Sequence, residues 1–256
     1  MRYITSANTD IGIKKNTNQD SLSVKVAQTC IGEVTFVVLC DGMGGLEQGE
    51  VASSHLVRKF SMWFTERFPV MVSASPLDDY VIRQEWESII SESNQKIMQY
   101  GSSNHISLGT TAVVGLFTNN RYYIMNVGDS RAYEIYNKVN IITTDQTVVE
   151  KEVQQGIITK EQAMTDKRRS ILLQCVGASP KVFPDMFYGN VMGNTTYMFC
   201  SDGFRHVITE EEIYTYFSPM VLLNEEVMKN NSKHLIELNK NRNEEDNISV
   251  VLIRTY

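Results

Sequence analysis

Apolar and polar positions change period several times along the chain, and each change marks an element. The short β-branched runs SLSVKV and VTFVVLC predict strands over residues 21–26 and 34–40. From Gly49 to Phe68, Val51, Leu56, Phe60 and Phe64 recur at near-helical spacing with charges between them, which predicts a helix. A second helix is predicted from Leu77 to Tyr100, where Val81, Trp86, Ile89, Ile90 and Ile97 form one apolar stripe. Two helices in succession between strands predict an antiparallel pair laid over one sheet face. The runs TTAVVGLFT, RYYIMNVGD and RAYEIYN follow, with Asn119-Asn120 and Gly128-Asp129-Ser130 as turn signals, and they read as a meander in one antiparallel sheet. TVVEKEVQQGIITKEQA predicts a helix broken near Gly156, with the charged TDKRRS behind it exposed and this middle stretch able to move. TTYMFCSDGF repeats the pattern of an apolar strand entering Asp-Gly, and EEEIYTYF reads as a helix. A further helix is predicted from Val221 to Asn239, and NISVVLIRTY closes the chain as a strand.

At 256 residues and 42% hydrophobic content the chain buries a large core, and no Pro-rich or Ser/Gly-rich linker or solenoid-period repeat divides it. One domain over 1–256 is the expectation. The net charge of −6 argues against a nucleic-acid or acidic-membrane partner, since such binding needs clustered Lys and Arg. Cys30, Cys40, Cys175 and Cys200 are widely spaced with no C-x-x-C pair, which predicts buried free thiols and a reducing compartment. The N-terminal MRYITSANTDIG has no apolar core for a signal peptide, and no stretch approaches bilayer-spanning length. A cytoplasmic location is expected.

Asp41, Asp202 and Asp246 each stand at the edge of an apolar strand, after FVVLC, after YMFCS and before NISVVLI. A carboxylate there is costly to desolvate unless a positive charge meets it, and no Lys or Arg adjoins any of the three in sequence. Hard oxygen ligands without Cys or His favour Mg²⁺ or Mn²⁺. The glycine after Asp41 would let a backbone carbonyl approach the same ion, and Gly44 and Gly45 continue the cluster. The alternative for each aspartate alone is a turn former or helix N-cap, and on the residues by themselves both readings stand.

The ordered blocks TDIGIKKNTNQDSL, VVLCDGMGGLEQGEVAS, SLGTTAVVGLF, YYIMNVGDSRAYEI, TTDQTVVEKEVQQGIIT, LLQCVGASP, YMFCSDGFRHVITEEEI and EEDNISVVLI resemble the metal-dependent Ser/Thr protein phosphatases of type 2C. Met43 in DGMGG points to the bacterial branch. The resemblance implies an α+β fold of four layers, α/β/β/α: a central antiparallel β-sandwich flanked by antiparallel helix pairs, with a flap around 146–180. It further implies two Mn²⁺ or Mg²⁺ ions with a third possible. Asp41 would bridge the pair, the Gly42 carbonyl would complete one ion, and Asp202 and Asp246 would hold the other. Asp129, together with Asp202, would serve the third ion. Asp20 would orient metal-bound water, and Asn247 would support the last acid. The implied nucleophile is a hydroxide shared by the two ions, with no phosphoenzyme.

Three positions depart from the family pattern. Lys15 stands where an arginine clamps the substrate phosphate, keeping the charge but losing the planar two-pronged donor. Gln146 replaces the usual histidine of the T-x-D-H block, and Gln19 stands where many members carry glutamate. His55, His105, His206 and His234 are scattered and receive no catalytic role. Met43, Met125, Met192 and Met198 read as packing, NKNRNEED as a solvated helix end apart from Asp246, and Lys167, Arg168 and Arg169 as exposed charge, with docking of phosphoprotein as the lesser reading. The function implied is hydrolysis of phosphoserine and phosphothreonine in proteins that a bacterial Ser/Thr kinase modifies, by a monomer. A phosphoprotein-binding pseudophosphatase and a small-molecule phosphomonoesterase are the alternatives.

Overall fold

The first alternating runs form β1 (Tyr3–Asp10), β2 (Ser21–Thr29) and β3 (Gly32–Cys40). The computed structural model describes residues 1–43 and 48–256, so Gly44 and Gly45 lie outside the described residues. From Val34 on, β3 is wholly buried because one face meets helices and the other a second sheet, which is why its sequence is a continuous apolar run.

Helix α1 (Gly49–Met62) passes through one π-helical turn, Trp63–Arg67, into α2 (Phe68–Ala74). The helix expected to end at Phe68 therefore runs on to Ala74. Aromatic packing favours the wider turn: Phe64 stacks on Phe36 with ring centroids 4.8 Å apart, and Trp63 lies 5.6 Å from the same ring. Pro69 is the second residue of α2, directly after the π-helical turn. Helix α3 (Asp79–Asn104) is capped by Asp78, whose carboxylate accepts from the N–H groups of Tyr80 and Val81.

The chain continues with β4 (Ala112–Phe117), β5 (Arg121–Val127), β6 (Arg131–Ile135) and β7 (Val139–Ile141). Two short helices, α4 (Val148–Gln154) and α5 (Lys160–Thr165), lead to β8 (Asp185–Asn190) and β9 (Thr196–Cys200). The remainder is α6 (Asp202–Arg205), α7 (Glu210–Phe217), α8 (Glu225–Asn241) and β10 (Ile248–Thr255).

The strands form two antiparallel sheets, ordered β1-β10-β9-β6-β7 and β2-β3-β4-β5-β8. Val37, Leu39, Phe117, Phe199 and Val251 pack between them. Leu56, Phe60, Trp86 and Ile90 of α1 and α3 cover the second sheet, and Ile213, Phe217, Leu235 and Ile236 of α7 and α8 cover the first. The result is the expected α/β/β/α sandwich.

The meander reading is corrected. β4 and β5 form the hairpin expected at Asn119-Asn120, but β6 pairs with β7 and β9 in the other sheet. Gly128, at φ 99°, turns the chain across the sandwich rather than back along β5. Strands β1, β7 and β8 were not anticipated. The run YITSANTD of β1 is mostly polar and owes its conformation to its pairing with β10. Cys40, Cys175 and Cys200 are buried free thiols, but Cys30 is exposed at the tip of the β2–β3 hairpin. Met125 and Met198 lie in the core as expected, whereas Met192 is exposed. Among the described residues, no helix is long and apolar enough to cross a membrane.

Candidate active site

Strand register brings the distant acids to one end of the sandwich. Ser21 pairs with Cys40, so Asp20 and Asp41 lie one step beyond the same rung. In the other sheet Cys200 pairs with both Arg131 and Val250, which sets Asp202 beside Asp129 on one side and beside the approach to β10, with Asp246, on the other. The two sheets then face these loops toward one another. Asp41 lies near enough to Asp20, Asp202, Asp129 and Asp246 to be repelled by all four.

Backbone contacts fix these positions. The N–H of Thr111 and the hydroxyl of Thr110 both donate to the Asp41 carbonyl at 2.9 Å, while the Asp41 N–H donates to Thr111 Oγ1 at 3.0 Å. Thr111 Oγ1 is in turn 2.8 Å from Ser130 Oγ, tying the loop of Asp41 to that of Asp129. The glycines after the aspartates have a packing reason besides any carbonyl exposure. A Cβ on Gly42 would fall 2.6 Å from the carbonyl oxygens of Gln19 and Gly49, and one on Gly203 would fall 2.2 Å from that of Asn247.

The acids are short of positive charge. Asp20 is buried and neither of its carboxylate oxygens has a hydrogen-bond partner among the described residues; Asp202 Oδ1 is in the same state. Burial, with repulsion from Asp202 and Asp246, pushes Asp20 up to about 7, against the opposing pull of the nearby Ser249 and Ser201 hydroxyls. Burial and repulsion from Asp202 push Asp129 up to about 7 as well, against the opposing pull of Arg205. Asp41 is raised well above the carboxylate range by burial and by its four acidic neighbours. Asp202 is the exception: burial acts to raise it, but the hydrogen bond from His206 and the charges of His206 and Arg205 hold it below the ordinary value.

Lys15 reaches the cluster from the loop after β1, its Nζ 2.9 Å from Asp246 Oδ1. Asn247 anchors that loop. Its Oδ1 accepts from Gln19 N–H at 2.9 Å and its Nδ2 donates to the carbonyls of Ile11 and Thr17 at 2.9 and 3.3 Å. The structure thus brings together Asp20, Asp41, Gly42, Asp129, Asp202, Asp246, Asn247 and Lys15.

Several participants escaped the sequence reading. His206 lies between two carboxylates, Nε2 3.3 Å from Asp202 Oδ2 and Nδ1 3.2 Å from Glu244 Oε2. Burial acts to lower its pKa, but the hydrogen bonds to Asp202 and Glu244 prevail and raise it to about 9. NKNRNEED is therefore more than a solvated end: Glu244 is buried, and Arg242 pairs with Glu212. Arg205 donates to the Asp129 carbonyl at 3.0 Å and to Asp145 at 3.1 Å, and Arg131 grips the same Asp145 through two bonds of 2.7 and 2.8 Å. Gln146 Oε1 accepts from Gly128 N–H at 2.9 Å and from Gln174 Nε2 at 2.8 Å, while its Nε2 donates to Asp185 Oδ2 at 2.7 Å. Arg168 of TDKRRS is exposed yet bound to Glu152 and Asp166. The one signal for the histidine was its four-residue spacing from Asp202 on a predicted strand-to-helix turn.

A cavity of about 750 Å³ opens behind the cluster, between α4–α5 and α6–α7. Arg205 and His206 line it, whereas Asp41, Asp202 and Asp246 do not.

Orphaned buried carboxylate oxygens with an all-oxygen donor set fit hard divalent cations. Among the described residues no three His, Cys, Asp or Glu side chains stand close enough together to hold one ion, so solvent and backbone oxygens would have to supply much of any coordination shell.

The family model described as "Protein phosphatase 2C" matches residues 13–237. The chain is 31% identical over 221 residues to the serine/threonine phosphatase stp of Listeria monocytogenes serotype 4b (strain F2365), covering 85% of this chain and 83% of that protein. Its structure superposes on the serine/threonine phosphatase Stp1 from Staphylococcus aureus with a TM-score of 0.81 and 26% identity, covering 100% of this chain and 96% of the other. A third similarity is to the catalytic domain of the serine/threonine protein phosphatase PstP in complex with 2 manganese ions, at 25% identity and a TM-score of 0.77, covering 98% and 97% of the two chains.

Proposed function

The chain belongs to the protein phosphatase 2C family, and we propose that it hydrolyses phosphoserine and phosphothreonine in proteins, using divalent cations held at its acid cluster. The observation that carries this reading is the group formed by buried Asp20, Asp129 and Asp202 with half-buried Asp41 and Asp246, whose mutual repulsion asks for multivalent positive charge. Asp41, Asp202 and Asp246 with the Gly42 carbonyl would hold two Mn²⁺ or Mg²⁺ ions, and Asp129 with Asp202 a third. When bound, such ions supply a hydroxide at neutral pH and draw charge from the phosphoryl oxygens.

The protein's own groups do the rest. Lys15 has three rotatable donors beside Asp246 and is the cation of the cluster's outer rim that would bind a phosphoryl oxygen. Asn247 keeps the Lys15 loop in place, and Asp20, with both oxygens uncommitted, would accept protons from water at the cluster. Arg205 holds Asp129 twice, donating to its carbonyl at 3.0 Å and pairing with its carboxylate at 3.7 Å, which fixes that carboxylate near Asp202.

We read 1–256 as one catalytic domain, monomeric and cytoplasmic, with α4 and α5 forming the flap. Its substrates on this reading are proteins phosphorylated by a bacterial Ser/Thr kinase. The test is hydrolysis of p-nitrophenyl phosphate and of a phosphothreonine peptide with Mn²⁺, beside Asp202→Ala. Metal-dependent turnover of both, lost in the variant, is expected. Retained peptide binding without turnover would make the protein a phosphoprotein-binding module instead, and turnover confined to small phosphomonoesters would remove proteins as substrates.

A further inference from the structure

Glu244 and His206 join two acids that come from different strands. His206 Nε2 faces Asp202 Oδ2 at 3.3 Å and its Nδ1 faces Glu244 Oε2 at 3.2 Å. The second oxygen of the same glutamate, Oε1, accepts from the N–H groups of Glu245 and Asp246, both at 3.0 Å. One carboxylate therefore grips the backbone of Asp246 with one oxygen and, through an imidazole, the side chain of Asp202 with the other. His206 and Glu244 are each nearly buried, with side chains 12% and 9% exposed, so solvent does not compete strongly for these bonds.

The division of labour on Asp202 gives the arrangement its meaning. His206 occupies Oδ2, while Oδ1 stays buried with no hydrogen-bond partner among the described residues. A carboxylate held at one oxygen cannot rotate freely, and its other oxygen points in a set direction. Carboxylates that ligate an ion are themselves commonly held by hydrogen bonds from outside the site, and loss of such a partner weakens metal binding.

We propose that Glu244 and His206 are positioning residues that lock Asp202 and Asp246 in register with each other, and so set the affinity of the cluster for divalent cations. The inference rests on the phosphatase reading, but concerns residues that reach the cluster from behind and do not touch substrate. Asp202 without His206 is free to swing, and Asp246 without Glu244 loses the clamp on its own N–H.

The experiment is Mn²⁺ titration of the full chain, read from the electron paramagnetic resonance signal of free aquo Mn²⁺ and needing no turnover. His206→Ala and Glu244→Ala should each weaken binding roughly 10- to 100-fold. The double variant should be no weaker than the worse single one, because the two residues act as one unit. KM for p-nitrophenyl phosphate at saturating Mn²⁺ should hold, and raising Mn²⁺ should recover most of the lost rate. His206→Gln, which keeps a donor toward Asp202, should bind Mn²⁺ with intermediate affinity, and it carries the same comparison if an alanine variant does not fold.

Wild-type Mn²⁺ affinity in a folded His206→Ala or His206→Gln protein overturns the proposal. So does a hundredfold fall in rate at saturating Mn²⁺ with binding unchanged, which would make His206 a group acting on substrate. If the unaltered chain neither binds Mn²⁺ nor hydrolyses phosphoester, the phosphatase reading itself fails. If it does both and the variants match it, only the positioning pair fails.

Discussion

Lys15 Nζ and Asp246 Oδ1 stand 2.9 Å apart, a cation from the loop after β1 against a carboxylate from the loop before β10. Both side chains remain partly exposed, so the pair adds little to stability. Its position beside the acid cluster is the ground for proposing Lys15 as the group that binds a phosphoryl oxygen.

Replacing Lys15 should therefore act on substrate rather than on folding. A charge-assisted hydrogen bond is worth roughly 1.5–3 kcal/mol, so Lys15→Ala should raise KM for p-nitrophenyl phosphate about tenfold or more. Lys15→Arg, which restores a planar two-pronged donor, should lower KM below that of the unaltered chain. Steady-state kinetics check both. An unchanged KM in each would show that Lys15 serves Asp246 alone.

Asp20 lies among like charges with neither oxygen partnered, so its negative charge burdens the metal-free fold. Asp20→Asn should raise the thermal midpoint of protein stripped of divalent ions, by about 2–4 °C for each kcal/mol of repulsion relieved. The same variant should lose Mn²⁺-dependent turnover. Scanning calorimetry in chelator reads the first effect, and a lower midpoint would show that the acids do not strain the empty cluster.

Gln146 answers four partners from an interior position: Gly128 N–H just before Asp129, Gln174, Asp185 and, at 3.5 Å, the Phe183 carbonyl. Gln146→Leu keeps the volume but strands them. The expected cost is roughly 2–3 kcal/mol, seen as a lower urea midpoint. A midpoint equal to that of the unaltered chain would mean these groups find other partners.

Glu212 supplies a pH signature away from the site. The hydrogen bond from Arg242, aided by the Thr209 N–H, lowers its pKa to about 2. A carboxylate depressed by folding stabilises above its unfolded value, near 4.5, and that stabilisation is lost as pH falls toward 2. The pair is largely solvated, so Glu212→Gln should cost only about 0.5–1 kcal/mol at pH 7. Urea titrations should show the gap between variant and parent shrinking from pH 4.5 downward. A gap that is constant with pH would assign the loss to packing.

The strands with continuous apolar runs were legible because a strand buried on both faces has no polar face to confuse the period, as in β3, β4 and β10. The acids Asp41, Asp202 and Asp246 were legible for a related reason: a carboxylate closing such a run stands out. β1 was hidden, since a strand held by backbone pairing to one neighbour needs few apolar side chains. The π-helical turn was hidden too, because the stacking of Phe64 on Phe36 joins residues from separate elements.

Order and identity of side chains along the chain gave the candidate chemistry: aspartates at strand ends, glycines after them, a lysine in the loop before. Those are local facts, carried by composition and period. Which acids share a field, and which are answered by His206, Arg205 or Glu244, came from the crossing at Gly128 and the register of strands joined across the sandwich. Electrostatic interaction depends on separation in space and on burial, and neither quantity exists until the two sheets close over their common core.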